Sequence, residues 1–190
     1  SSASGGAGIR VWTSRNLSLM ASMNLSESYT TCAIFSSNDS DTIISGSADG
    51  LVRVWTVRTA ECIRVLQGHT GRISSISMSP SGDLIASGSA DNTARLWYVN
   101  SEDPAVILHG HNQFICSISF SPDGSRLVTV SWDQTARIWD LRTSLNPVLN
   151  PIDHNAYVAA IAFRENGKQL ISKDELGIIK LWDIERREEL

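Results

Sequence analysis

The chain has no cluster of lysine and arginine, no long apolar run and few cysteines. With 16 basic against 20 acidic residues the formal charge is −4. A groove for nucleic acid needs a concentrated positive patch, and none is present in the sequence. No apolar stretch approaches the ~18 residues of a membrane-spanning helix. Neither nucleic acid nor a membrane is therefore an expected partner. Cys32, Cys62 and Cys116 are odd in number and lie in apolar, strand-like stretches. They read as small buried free thiols in a reducing compartment, which suggests an intracellular protein, cytoplasmic or nuclear.

What the chain does have is periodicity. Ser87 to Trp97 reads Ser-Gly-Ser-Ala-Asp-Asn-Thr-Ala-Arg-Leu-Trp. Similar stretches run from Ser45 to Trp55, Thr129 to Trp139, Ser172 to Trp182 and, in degraded form, Ser2 to Trp12. The closing tryptophans Trp12, Trp55, Trp97, Trp139 and Trp182 are 43, 42, 42 and 43 residues apart. An even spacing that uses five of the six tryptophans is the signature of a repeat architecture, and it overrides the length prior of one or two ordinary domains. The repeat divides residues 1–190 into segments 1–25, 26–66, 67–108, 109–151 and 152–190, with both end segments expected to be partial. The whole is expected to be part of a longer array whose remaining repeats stack on it.

Within a repeat the local signals favour strands. Ile73 to Met78 and Ile115 to Phe120 alternate large apolar residues (Ile76, Met78; Ile118, Phe120) with small ones (Ser75, Ser77; Ser117, Ser119). Period-two alternation marks a strand, and the small face permits close approach of a neighbouring sheet. Ser79-Pro80-Ser81-Gly82, Ser121-Pro122-Asp123-Gly124 and Arg164-Glu165-Asn166-Gly167 have turn chemistry. A second strand follows each turn (Leu84 to Ser87, Leu127 to Val130). Asp49-Gly50, Asp91-Asn92 or Asp133-Gln134 then reverses the chain into the tryptophan strand. Cys62 to Leu66 and Ala105 to Leu108 supply a more variable fourth strand, and Leu17 to Met23 reads as one more. A four-stranded sheet of ~42 residues cannot bury both faces alone, so such units must stack.

This pattern resembles the WD40 repeat family of β-propellers over essentially the whole chain, with its Gly-His and Trp-Asp landmarks at Gly68-His69 to Trp97 and Gly110-His111 to Trp139-Asp140. Thr13, Thr56 and Tyr98 replace the aspartate after the other tryptophans, Trp182 keeping it. The expected fold is all-β: an incomplete propeller ring of four-stranded antiparallel blades, about three whole blades flanked by two halves. The resemblance implies a buried hydrogen-bond chain of Trp97, Ser87, His69 and Asp91 in one blade and of Trp139, Thr129, His111 and Asp133 in the next. The residue chemistry agrees: indole only donates, a hydroxyl donates and accepts, and imidazole can pass the chain to a carboxylate. Ser26 stands where the earlier blade should have its histidine, and Leu176 where the last should have its aspartate. Those two blades, which keep Ser45, Asp49 and Trp55 or His154, Ser172 and Trp182, are expected to be looser.

Ser, His and Asp together also suggest a hydrolase triad, but a trio that recurs in successive repeats fits a structural role better than one exposed nucleophile. His109 and His111 are spaced as metal ligands on a strand can be, yet no Cys or carboxylate cluster completes a set. Ser4-Gly5-Gly6-Ala7-Gly8 lacks the Lys-Ser/Thr and helix of a phosphate loop. No catalytic residue, metal or cofactor is expected. Positions three after the landmark histidine hold Arg72, Phe114 and Tyr157, with Tyr29 at the matching place in the earlier repeat. In the family these face the rim of the central channel, as does the residue before the turn aspartate: Ala48, Ala90, Trp132 and Glu175. Trp132 is the one tryptophan the repeat does not require. Aromatics with an arginine have the composition of a binding hot spot; the other reading is that some pack between blades. The expected function is a non-catalytic protein-interaction scaffold that takes a peptide or protein on this rim. Its alternative is a sensor or regulatory array within a larger multidomain protein, ahead of a propeller-based enzyme.

Overall fold

The computed structural model describes residues 8–25, 28–101, 103, 105–142, 152–153 (backbone), 156–164, 167–186 and 188–190. Ser4 to Ala7, Ser26, His154 and the Glu165-Asn166 pair lie outside the described residues. The described residues fold into one two-stranded and four four-stranded antiparallel sheets, each a simple meander. β1 (Gly8–Trp12) pairs with β2 (Leu19–Asn24). The first full blade is β3 (Thr30–Phe35), β4 (Thr42–Ser47), β5 (Val52–Thr56) and β6 (Glu61–Leu66). The second is β7 (Ile73–Met78), β8 (Leu84–Ser89), β9 (Ala94–Tyr98) and β10 (Val106–Leu108). The third is β11 (Ile115–Phe120), β12 (Arg126–Ser131), β13 (Thr135–Asp140) and β14 (Ile152–Asp153). The fourth is β15 (Val158–Phe163), β16 (Gln169–Asp174), β17 (Ile179–Asp183) and β18 (Glu188–Glu189). No helix occurs among the described residues, so none of them forms a helix long and apolar enough to cross a membrane.

Three details differ from the sequence expectation. The last segment, expected to be a half blade, has a fourth strand, with Glu188 and Glu189 paired to Asp183 and Trp182. The boundary placed at 151/152 falls one strand early, because Ile152 and Asp153 pair with Ala136 and Thr135 of the preceding blade. Leu17 is not in a strand: it has φ 55° in the turn that precedes β2. Both blade boundaries fail for one reason. The outermost strand follows a polar loop of variable length and is too short to show alternation.

The first strands of the four blades, β3, β7, β11 and β15, lie beside one another, each against the next blade. Packing between blades is a set of matched volumes. Gly46 meets Ile73 and Gly88 meets Ile115, and a β-carbon on either glycine would overlap the isoleucine. At the next seam Val130 stands in the glycine position and Val158, in the same apolar cluster, in the isoleucine position. Volume added on one side is removed on the other, as close packing demands.

Polar atoms stitch the same seams. Each innermost strand carries a bulge after its first residue, and the extra residue is Thr31, Ser74, Cys116 or Ala159. A bulge re-aims a side chain. The Thr31 hydroxyl donates to the Gly46 carbonyl at 3.0 Å and Ser74 to the Gly88 carbonyl at 2.8 Å. Ser74 also reaches the Ile115 carbonyl, and the Cys116 thiol the Val158 carbonyl, each on the next blade. The small face of β7 works in the same direction: Ser75 and Ser77 accept the amides of Ile118 and Phe120 at 3.3 and 3.2 Å. Burial raises the Cys116 thiol to about 11, which keeps it the protonated donor this contact needs. Cys32 is likewise partly buried, with its pKa raised by burial. Cys62 corrects the reading of three buried thiols, since it is exposed on the outer strand β6. The outermost strand of a blade is paired along one edge only, and most of β6 faces water.

Candidate partner-binding rim

The rim begins with the machinery that holds it. In all four full blades the indole N–H of the repeat tryptophan donates to a hydroxyl ten residues earlier. The distances are 2.8 Å for Trp55–Ser45, 2.8 Å for Trp97–Ser87, 3.0 Å for Trp139–Thr129 and 2.8 Å for Trp182–Ser172. These hydroxyl residues are at most 1% exposed. In the second blade the Ser87 hydroxyl lies 2.9 Å from His69 Nε2, and His69 Nδ1 lies 2.8 Å from Asp91 Oδ2. The third blade repeats this with Thr129, His111 and Asp133 at 2.8 and 2.8 Å. One tautomer satisfies the whole chain: the hydroxyl donates to Nε2, and Nδ1–H donates to the carboxylate.

Electrostatics favour that state. Burial lowers the pKa of His69 and His111 and outweighs their aspartate bonds, so the rings are neutral. For Asp91 burial pushes up, but hydrogen bonds from Thr93 and His69 prevail and bring it to about 2. The carboxylate's remaining capacity is filled by Thr93, whose hydroxyl and amide donate at 2.7 and 2.9 Å, and by the Thr70 amide at 3.0 Å. The Ser-His-Asp resemblance to a triad ends here. Ser87 and Thr129 are 0% exposed and already accept an indole N–H, so neither offers a nucleophile to a substrate. His109 and His111 do not share a face: His111 is buried in its chain and His109 is exposed. Among the described residues no three His, Cys, Asp or Glu side chains gather as a metal set.

The first and last blades depart from this pattern in different ways. In the first, Asp49 is taken by Arg53, whose Nη2 donates to Oδ2 at 2.7 Å. In the last, Leu176 stands in the aspartate position and is 75% exposed. The positive-φ residue at the end of this turn is Gly50, Asn92, Gln134 or Gly177, with φ of 80°, 69°, 68° and 84°. A left-handed turn residue is therefore required in every blade, and only two blades use the residue that adopts it without cost.

At this turn the two rim positions of each blade meet. The amides of Ala48, Ala90, Trp132 and Glu175 donate to the carbonyls of Tyr29, Arg72, Phe114 and Tyr157 at 3.0, 2.9, 3.0 and 3.0 Å. Each pair thus sits side by side at the same end of its sheet, next to the innermost strand. Four of the side chains form one continuous row across three blades. The Arg72 guanidinium carbon lies 5.6 Å from the Phe114 ring centroid. Phe114 and Trp132 are 5.0 Å apart with planes tilted by 59°, and Trp132 and Tyr157 are 6.0 Å apart at 37°. Arg72 is exposed and Phe114 half-buried. Trp132 keeps 50% of its surface in water and Tyr157 39%. Tyr29, 52% exposed, makes no ring contact among the described residues and stands apart from the row.

Comparison with known proteins agrees with this architecture. Residues 23–56, 60–98 and 102–140 match the family described as "WD domain, G-beta repeat". The chain belongs to the WD40 repeat family. Among curated relatives, this WD40 chain is 49% identical over 41 residues to the WD repeat-containing protein pop1 of Schizosaccharomyces pombe, covering 22% of the chain and 5% of that protein. It is 38% identical over 39 residues to a p21-activated protein kinase-interacting protein 1-like of Danio rerio, covering 20% and 11%. It is 37% identical over 46 residues to the coatomer subunit beta'-1 of Arabidopsis thaliana, covering 24% and 5%. These matches are one repeat long and span a small part of each relative.

The clustering of Arg72, Phe114 and Trp132 follows from repeat positions alone. The extension through Tyr157 does not, because it depends on the Trp132 ring leaning across the seam. Sequence reasoning missed Arg53. The position where the histidine was missing announced a vacancy, but a basic residue stands two before every repeat tryptophan (Arg53, Arg95, Arg137, Lys180), so nothing in the sequence marked Arg53 as the one that engages the aspartate.

Proposed function

We propose that this chain is a non-catalytic protein-interaction scaffold that receives a peptide or protein segment on the rim formed by Tyr29, Arg72, Phe114, Trp132 and Tyr157. One observation carries the reading. Trp132 is not needed by the repeat, yet it is held between Phe114 and Tyr157 and remains half exposed. A rigid, half-wet aromatic row beside an arginine has the composition of an interface hot spot and little reason to exist as packing alone. The net charge of −4 favours a protein partner over nucleic acid, and reduced, partly buried Cys32 and Cys116 suit an intracellular setting. The hydroxyl-His-Asp trios are structural in this reading, so the protein is not an enzyme through them. The small share of each relative that the chain matches supports a second, compatible reading, in which the repeats serve as a regulatory array within a larger protein. The Danio rerio relative is by name a kinase-interacting protein, and interaction is what is proposed here.

The test is affinity capture with the intact protein, wild type against Trp132→Ala and Phe114→Ala. Truncating an anchor costs about 2 kcal/mol or more of affinity, so capture should fall at least about tenfold while the melting curve barely moves. Wild-type capture by both variants would return these aromatics to a packing role.

A further inference from the structure

The eight paired rim positions hold two charged side chains, and these stand at opposite ends of the aromatic row. Arg72 lies beyond Phe114, and Glu175 is bonded through its amide to the Tyr157 carbonyl. Both are exposed, and neither makes an ion pair with any of the described residues. Between them lie three rings in contact and no other charge from the rim positions. The row is thus polar end to end: cation, aromatic surface, anion.

We infer that the rim takes an extended segment of opposite polarity, with an acidic side chain, a large apolar residue and a basic side chain in that order along the row. This rests on the rim reading above and gives it a ligand chemistry. Contacts of 5.6, 5.0 and 6.0 Å in series bound the row from Arg72 to Tyr157, a reach of about five extended residues at roughly 3.3 Å each. The acidic group meets the Arg72 guanidinium, which can hold a carboxylate through two parallel N–H bonds. The apolar residue packs on the exposed half of Trp132. The basic group meets Glu175, its stem lying along the Tyr157 ring. A uniformly acidic segment would bring like charge onto Glu175, and a uniformly basic one onto Arg72. Such juxtapositions penalise wrong partners more than they strengthen the right one. Tyr29 and the alanines Ala48 and Ala90 add no charge to the row, so these two ends set its polarity.

The probe is an array of pentapeptides with four randomised positions around a central Trp, Phe, Leu or Pro, read with the intact protein. The expected selection is an acidic residue on one side of the centre and a basic residue on the other. Arg72→Glu should remove the acidic preference and keep the basic one, and Glu175→Arg should do the reverse. For a selected bipolar peptide followed by fluorescence anisotropy, each reversal should weaken binding about tenfold, with melting curves unchanged because both side chains are exposed. Peptides selected without charge preference, or with like charges on both sides, overturn the inference. If Trp132→Ala still abolishes their capture, the rim reading survives that failure. If Trp132→Ala selects the same peptides as wild type, the rim reading falls and the inference with it.

Discussion

The two central blades, β7–β10 and β11–β14, and the blade that precedes them seat the same tryptophan on the same buried hydroxyl and then diverge. In the central pair the hydroxyl leads to a histidine in the loop before the innermost strand, and the histidine to an aspartate in the turn between the second and third strands. The chain of bonds joins segments about twenty residues apart. In the preceding blade the aspartate finds Arg53, four residues away on its own hairpin. That pair holds the turn to itself. Among the described residues, the loop before β3 is tied to the turn by the Ser28 hydroxyl, which accepts the Asp49 amide at 3.1 Å, and by the Ala48–Tyr29 backbone bond. A long-range tie restricts far more chain than a local one, so the same tryptophan can be equally buried in blades of unequal rigidity. Trp55 and Trp97 are both 5% exposed. Seating the tryptophan and closing the loop are therefore separate tasks, and among the described residues the central blades join the two in one continuous side-chain chain.

The comparison can be broken most forcefully at the tryptophans. Trp139 is 1% exposed and sits in an apolar cluster with Leu108, Ile118 and Leu127. Trp139→Ala should cost about 4 kcal/mol in a denaturant titration, from lost packing and a cavity. Trp12, 53% exposed on β1, has its repeat hydroxyl position, Ser2, outside the described residues. Trp12→Ala should cost under about 1 kcal/mol by the same measurement. A loss at Trp12 comparable to that at Trp139 would mean that exposure does not rank these sites.

A smaller effect separates the two ways of using the aspartate. His111→Ala leaves Asp133 and Thr129 short of a buried partner and should cost about 2 kcal/mol. Arg53→Ala breaks a partly exposed pair and should cost less than about 1 kcal/mol. Denaturant midpoints of the two variants give the comparison directly. Equal losses would show that the long-range chain adds nothing over the local pair.

The framework was legible because it is written in spacing. Tryptophans 42 or 43 residues apart, hydroxyls ten residues before them and Gly-His landmarks place the blades and, with the family resemblance, the hydrogen-bond partners. Features that depend on one side chain choosing between neighbours were not legible. Ser74 and Cys116 read as strand residues like any other, and it is at the bulge that they reach carbonyls of the next blade. Arg53 is indistinguishable in sequence from Arg95, which has a histidine beside its aspartate and makes no such pair. Cys62 lies in a run, Glu-Cys-Ile-Arg-Val-Leu, whose alternation points to a half-buried strand. At the outer edge of the blade four of its six residues are exposed, Cys62 among them. The pairing of Gly46 with Ile73, Gly88 with Ile115 and Val130 with Val158 is visible only once the seams are known. On the rim, position alone gathers Phe114 and Trp132, whereas the contact from Trp132 to Tyr157 is a property of ring orientation.

Four backbone bonds give the comparison its most direct test, because they join the same two repeat positions at nearly the same length. The amides of Ala48, Ala90, Trp132 and Glu175 each donate from the turn to the loop residue of their own blade, at 2.9 to 3.0 Å. Among the described residues, only those of Ala90 and Trp132 are backed by a histidine-aspartate tie. Native-state amide hydrogen exchange of the intact protein, corrected for intrinsic rates, reads the opening of each bond separately. The account predicts that Ala90 and Trp132 exchange at least about tenfold more slowly than Ala48 and Glu175, a difference of about 1.4 kcal/mol in opening free energy. Four equal rates, or slower exchange at Ala48 and Glu175, would contradict it.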